Sequence, residues 1–261
     1  MMSEQPAQTS GPFRPELMVT PPERQRRWTV LLRLLLLIPH FIVLWLVSIA
    51  AAVVVFIGWF AALILGRLPD WISGFLALFI GYQARVAASN MLLVDKYPPF
   101  VVPEPDYPVQ VDIRPGELNR WTVFFRIILV IPAAIVSAVV VHGWGVLAFF
   151  IWVIVLVAGR NPRPVFDASA AVLRYTYRTN AYFYLLTGAY PMKLFGDARA
   201  EDNPPRQSPG TRPLVMSKGG RILLIVFIVL GAISLVCDGV VQSFNQPYYE
   251  YQYDYEHDYG R

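Results

Sequence analysis

The chain has almost none of the residues that carry most protein chemistry. Among 261 residues there is one cysteine, Cys237, and there are three histidines, His40, His142 and His257. A lone cysteine excludes an intramolecular disulfide, and its place inside an apolar segment makes it a small packing residue rather than a redox or metal group. The histidines are not spaced as ligands on one helix. With no His-Glu-x-x-His pattern, no grouping of Cys with His and no carboxylate pair in the apolar stretches, neither a metal nor a cofactor is expected. A Gly-x-Ser-x-Gly elbow and a Gly-rich phosphate loop are also missing. Charge is scarce at 15% of residues.

What replaces these is apolar sequence. Hydrophobic residues make up 56% of the chain, with long runs at 34–65, 127–158 and 222–236. That is more than a soluble core of this size needs, and it places the chain in a membrane. The first 23 residues are polar and Pro-rich, without a basic-then-apolar signal or a small-residue cleavage site. The first apolar segment therefore reads as a retained anchor.

The sequence also repeats itself. Shifting it by 93 residues lays 27–98 over 120–191 without a gap, and 26 of the 72 positions are identical. The matches include Arg27/Arg120, Trp28/Trp121, Arg33/Arg126, Pro39/Pro132, Trp59/Trp152, Tyr82/Tyr175 and Arg85/Arg178, with Gly66-Arg67 over Gly159-Arg160. Identical residue types at matched points of two copies argue for a shared architecture. The reading divides the chain into an extended cytoplasmic N-terminus (1–23), a first membrane repeat (24–100), a Pro-rich connector (101–119), a second repeat (120–192), a basic connector (193–220), a final transmembrane helix (221–245) and an acidic, Tyr-rich tail (246–261). That tail is low in complexity and is not expected to fold alone.

Lys and Arg gather before each apolar run: Arg24, Arg26 and Arg27, then Arg114 and Arg120, then Lys193, Arg199, Arg206, Arg212, Lys218 and Arg221. The positive-inside rule puts these connectors and the N-terminus in the cytoplasm and the C-terminus outside. Each repeat then crosses an even number of times. The expected fold is an all-α integral membrane protein of two tandem parallel repeats, each with two passes and an amphipathic interfacial helix, followed by one final transmembrane helix.

The stretch 28–66 would run for roughly 58 Å as one helix, against a hydrocarbon core of about 30 Å, so a break is expected. The favoured place is mid-run, near 48–51 and at His142-Gly143-Trp144-Gly145, giving a hairpin and leaving 71–94 as an amphipathic helix on the inner surface. That arrangement leaves Arg33 and Arg126 to snorkel. The other version bends at Pro39, crosses once as a long helix and returns through 71–94. Three connector pieces, beginning at Pro15, Pro108 and Pro213, also repeat. Val109, Val111 and Ile113 alternate with Gln110 and Asp112 as in a half-buried strand. A small cytoplasmic sheet and unpaired extended linkers are both open readings.

The order Arg27-Trp28-Thr29, Arg33, Ile38-Pro39-His40, Trp59-Phe60-Ala61, Gly66-Arg67, an Arg85-containing helix and Tyr97-Pro98-Pro99-Phe100 resembles bacterial membrane proteins of domain-of-unknown-function family 4389. The resemblance covers both repeats and the basic entry 217–221. The second copy departs from the pattern: Ala133 stands for His40, and Ala189-Tyr190-Pro191-Met192 for Lys96-Tyr97-Pro98-Pro99. The resemblance implies a membrane location and an actinobacterial source, and it brings no activity or catalytic residues.

The arginines are the functional candidates: Arg33, Arg67, Arg85, Arg126, Arg160, Arg174 and Arg178. Arg174 precedes Arg178 by one helical turn, so the two share a helix face. These residues suit anionic lipid headgroups or lipid-linked phosphates; they equally suit charges that only set topology. The expected role is a non-enzymatic scaffold or accessory subunit in the bacterial plasma membrane. It would contact anionic lipids through a basic cytoplasmic face and a membrane-protein partner through the tail, with no nucleic-acid partner. A transporter or channel subunit, supported by the parallel repeat, and an enzyme acting on a membrane lipid are the alternatives. For the enzyme, Asp167 is the nearest carboxylate to the Arg cluster, and Gly74 holds its place in the first copy.

Overall fold

The computed structural model describes residues 13–100, 106–196 and 216–258, with side chains as far as 241. The described residues form two strands, β1 (Glu16–Val19) and β2 (Val109–Asp112), and seven helices: α1 (Arg27–Leu31), α2 (Arg33–Leu65), α3 (Asp70–Asn90), α4 (Arg120–Phe124), α5 (Arg126–Ala158), α6 (Arg163–Phe183) and α7 (Lys218–Asp258). α4, α5 and α6 reproduce α1, α2 and α3 at the 93-residue offset, end for end. The equivalence extends to the caps: Gly66 and Gly159 close the long helices at φ +72° and +63°. Leu92 and Leu185 take left-handed backbone after α3 and α6, a conformation that costs a leucine about 1–2 kcal/mol. Both are buried, at 4% and 2% exposure, so packing holds them there.

The expected break inside the long apolar runs is not present. α2 and α5 are each one unbroken 33-residue helix, about 50 Å long. Pro39 and Pro132 lie inside these helices without ending them. The break falls earlier, at Leu32 and Phe125, where ψ turns to 8° and 9° between the short entry helix and the long one. Nor is His142-Gly143-Trp144-Gly145 a turn. Gly143 and Gly231 are where α5 and α7 cross: a Cβ on Gly143 would fall onto the Phe227 carbonyl, and one on Gly231 onto the Val139 carbonyl. The glycine is there for close approach of two helices rather than for a turn.

Four helical stretches are long and apolar enough to cross a membrane: α2, α3, α5 and Lys218–Val241 of α7. α6 is not among them, because charged and polar residues such as Asp167, Arg174 and Arg178 interrupt it; all three are buried. The backbone of α7 continues helical through the Tyr-rich segment to Asp258, where the sequence reading has a tail that does not fold on its own. The first two connector pieces pair. β1 and β2 form an antiparallel ribbon with Glu16 opposite Asp112 and Val19 opposite Val109. The third piece, from Pro213, falls outside the described residues apart from 216 and 217, as do Arg199, Arg206 and Arg212.

The copies are joined reciprocally. Trp152 Nε1 donates to the Val30 carbonyl at 2.9 Å, and its equivalent, Trp59, donates to the Val123 carbonyl at 3.0 Å. Gln25 N bonds Gly159 O at 2.9 Å, and Leu118 N bonds Gly66 O at 2.8 Å. The start of each copy thus lies against the end of the other's long helix, so α2 and α5 run antiparallel. α3 and α6 are likewise antiparallel, with Asn180 bonding Gln83 at 2.9 Å and Phe79 meeting Tyr184 edge to face. The ribbon register maps onto itself when the copies are exchanged. A single pseudo-two-fold axis therefore passes through the ribbon and between the helices of each pair.

Along that axis lie three layers. α3 shows Gly81 to Val111 of the ribbon and turns Tyr82 and Val86 toward Leu37 of α2. The order is ribbon, then α3 with α6, then α2 with α5. α7 breaks the symmetry: among the described residues it packs on α5 and α6.

Candidate functional site

Five of the seven candidate arginines are inside the protein. Arg33, Arg85, Arg126, Arg174 and Arg178 are exposed by only 2–7%, so they do not form an open basic face and do not snorkel. Arg33, Arg85, Arg126 and Arg178 each meet groups from other parts of the chain. Arg33, at the first residue of α2, donates to Ser89 Oγ at 2.8 Å and lies 3.7 Å from Asp95. Asp95 in turn accepts from Thr29 Oγ1 at 2.8 Å and from Arg26 N at 3.2 Å, tying the entry helix to the end of α3.

In the second copy Asp95 becomes Gly188 and Ser89 becomes Tyr182. Arg126 accordingly donates to the Thr187 carbonyl at 3.1 Å and stacks with its guanidinium carbon 3.9 Å from the Tyr182 ring centre. An ion pair in one copy is replaced by a cation–π contact in the other.

Arg85 and Arg178 flank the two-fold axis beneath the ribbon. Arg85 lies over the Tyr107 ring at 5.8 Å; Arg178 donates to the carbonyls of Pro15 at 3.3 Å and Met192 at 3.2 Å. Beside them Tyr177 is buried, and burial first, then the Asp112 carboxylate, push its phenol well above the ordinary range. Arg174 takes the place of Gly81, whose built Cβ already meets Val111 at 3.4 Å. Charge in this layer therefore fastens the connectors onto α3 and α6.

Asp167 has a structural partner as well. Its Oδ2 accepts from Ser217 N at 2.9 Å, and Ser217 Oγ accepts from Gly220 N at 3.1 Å, so the pair caps the start of α7. A Cβ on Gly219 would meet Pro164 at 3.1 Å. Gly143, Pro164 and Asp167, which stand for Ala50, Trp71 and Gly74, all touch α7. Several differences between the copies thus mark where the last helix docks.

Arg67 and Arg160 remain, and they are exposed. Each follows a left-handed glycine cap, and that glycine lies against an arginine of the other copy: a Cβ on Gly66 would lie 3.7 Å from Arg120 Nε, and one on Gly159 would lie 4.0 Å from Arg27 Nε. Arg27 also donates to the Val157 carbonyl at 3.2 Å. Trp28 and Trp121, which follow Arg27 and Arg120 in the chain, are exposed by 76% and 74%. The result is two equivalent basic corners, one of Arg67, Arg120 and Trp121, the other of Arg160, Arg27 and Trp28. Arg27 and Arg120 were visible in the sequence as matched points of the repeat and as charges that set orientation; nothing local shows that they meet the opposite copy's Gly-Arg end.

Two clefts also sit at equivalent places beside the ribbon, one lined by Arg24, Asp95, Lys96 and Asp106, the other by Phe13, Arg114, Glu117 and Asn119. His40 is fully buried, 2.6 Å from Tyr82 Oη and stacked 4.1 Å from Phe100. This aromatic box belongs to the first copy alone, since Ala133 and Lys193 stand at the matching positions of the second. Among the described residues no three His, Cys, Asp or Glu side chains are grouped to hold a metal ion.

A family model described as "Domain of unknown function (DUF4389)" matches residues 27–102 and again 120–194. The chain belongs to that family. The tandem DUF4389 domains contain the two copies that the two-fold axis relates, and α7 follows the second of them. No curated protein and no solved structure matches the chain.

Proposed function

We propose that this DUF4389 protein is a non-enzymatic membrane scaffold or accessory subunit that holds anionic lipid headgroups at its cytoplasmic face. The observation that supports this reading is the pair of basic corners. Each sets two exposed arginines and one exposed tryptophan at the end of a long apolar helix, where a guanidinium meets phosphate and an indole sits at headgroup level. The buried arginines, by contrast, have neighbouring groups inside the protein and are assigned to the fold. In this reading the N-terminus is cytoplasmic, and the helical C-terminal segment beyond α7's apolar stretch reaches the other side, where it is free to meet a membrane-protein partner.

The test is native mass spectrometry of the protein released from bilayer discs that contain phosphatidylglycerol and phosphatidylcholine. A juxtamembrane charge contributes about 1 kcal/mol toward an anionic surface. Replacing both arginines of a corner, Arg67→Gln with Arg120→Gln or Arg27→Gln with Arg160→Gln, is expected to weaken phosphatidylglycerol retention on the order of ten-fold or more. Equal retention by the parent and both double variants would overturn the reading.

A further inference from the structure

The two long apolar helices of the repeats would by length cross a membrane, but their mutual arrangement argues for a different seating. We propose that α2 and α5 lie in the plane of the membrane, buried in its cytoplasmic leaflet, and that α7 alone crosses. This concerns how the molecule is seated and stands whether or not the basic corners bind headgroups. It departs from the two passes per repeat expected from the distribution of positive charge.

The first support is direction. The reciprocal bonds Trp152 to Val30 and Trp59 to Val123 make α2 and α5 antiparallel and put the two-fold axis across their length. Were these helices upright, the axis would lie in the membrane plane and the ribbon would fall at mid-depth on the molecule's flank. Among the described residues the ribbon is two strands, and it carries Glu16, Gln110 and Asp112. Carboxylates at that depth are costly, because the hydrocarbon core does not solvate their charge. The upright arrangement would also place the corner of Arg27 and Arg160 on one face of the membrane and that of Arg67 and Arg120 on the other. Equal positive charge on both faces runs against the positive-inside rule.

With the helices flat, the axis lies along the membrane normal, as it does for parallel repeats. Both corners, with Trp28 and Trp121, then sit at one interface, and the ribbon faces water. The α3 and α6 layer, which holds the buried Arg85, Arg174 and Arg178, lies between the ribbon and the lipid-embedded pair.

Side-chain exposure fits this seating. Leu35, Ile42, Phe56 and Ile64 are exposed by 63%, 55%, 64% and 72%, and their equivalents Ile128, Ile135, Phe149 and Val157 by 63%, 57%, 66% and 69%. Two equally apolar strips of this length need the same surroundings, and acyl chains supply them. α5 packs on α6 and α7, while α2 meets protein along a single stripe, Arg33, Leu37, His40, Ala51, Gly58 and Ala62. A helix apolar on every other side is immersed below the headgroups rather than lying on them. α7 starts against Asp167 in the α6 layer, crosses α5 at Gly143 and then leaves the protein, with Val236 and Val241 exposed by 66% and 57%. Its apolar 24 residues, Lys218–Val241, span about 36 Å, enough for a hydrocarbon core of about 30 Å.

The experiment is cysteine labelling with a membrane-impermeant maleimide, in a Cys237→Ser background, on sealed vesicles of both orientations. Glu23→Cys reports on one corner and Glu117→Cys on the other; both sites are exposed. A third cysteine, appended after Arg261, reports on the far end of α7. Detergent-dissolved samples, in which all three react, set full labelling. The seating predicts that Glu23→Cys and Glu117→Cys label from the cytoplasmic side only, and the appended cysteine from the other side only. Labelling of the first two from opposite sides would show α2 and α5 upright and overturn the proposal. Labelling of all three from one side would overturn the claim that α7 crosses.

Discussion

Arg33 and Arg126 show how one position is solved twice. Both begin a 33-residue apolar helix and both are buried, yet one is met by Ser89 and Asp95 and the other by Thr187 and Tyr182. The positions of these arginines were legible in the sequence because they repeat. Their burial was not, because their partners lie 56 to 62 residues downstream, past an entire helix. Asp95 joins Arg33, Thr29 and the Arg26 amide, so its replacement leaves a buried guanidinium short of an acceptor. Asp95→Ala is expected to cost about 1–3 kcal/mol, read as a lower melting temperature in detergent. Gly188→Ala, at the equivalent position, serves as its comparison.

At the level of elements, hydropathy located the long apolar segments but misplaced their breaks. A glycine within an apolar run reads as a turn when only its neighbours in sequence are considered. Gly143 is instead where Phe227 of α7 passes at backbone distance. Its counterpart in the first copy is Ala50, which is exposed and faces no seventh helix. That difference gives a paired expectation. Gly143→Val forces the two helices apart and is expected to destabilise by about 1–3 kcal/mol, while Ala50→Val stays within about 0.5 kcal/mol. Thermal unfolding followed by circular dichroism checks both. The alternation of Val109, Val111 and Ile113 with polar residues suited a strand but left pairing open, since only the axis relating the copies sets Glu16 opposite Asp112.

The whole molecule is organised by that axis rather than by either repeat alone. Every entry helix rests on the other copy's long helix, which makes a single DUF4389 domain of this chain incomplete without its twin. The repeat announced two copies, but the sequence is silent on whether they stand side by side or head to tail. That depends on contacts between residues more than 50 positions apart, and it decides which surfaces face lipid. From it follow the two basic corners, the ribbon on the side away from the apolar helices, and the flat seating. Depth measured along α2 tests this account most directly. Nitroxide labels at Leu35, Ile42, Ile49 and Phe56 share one outer face of the helix, and their relative accessibility to oxygen and to a water-soluble nickel reagent reports how deep each lies in a bilayer. The account predicts nearly the same depth at all four. A profile that runs from interface to midplane and out again along the helix would mean that α2 crosses the membrane, and would contradict it.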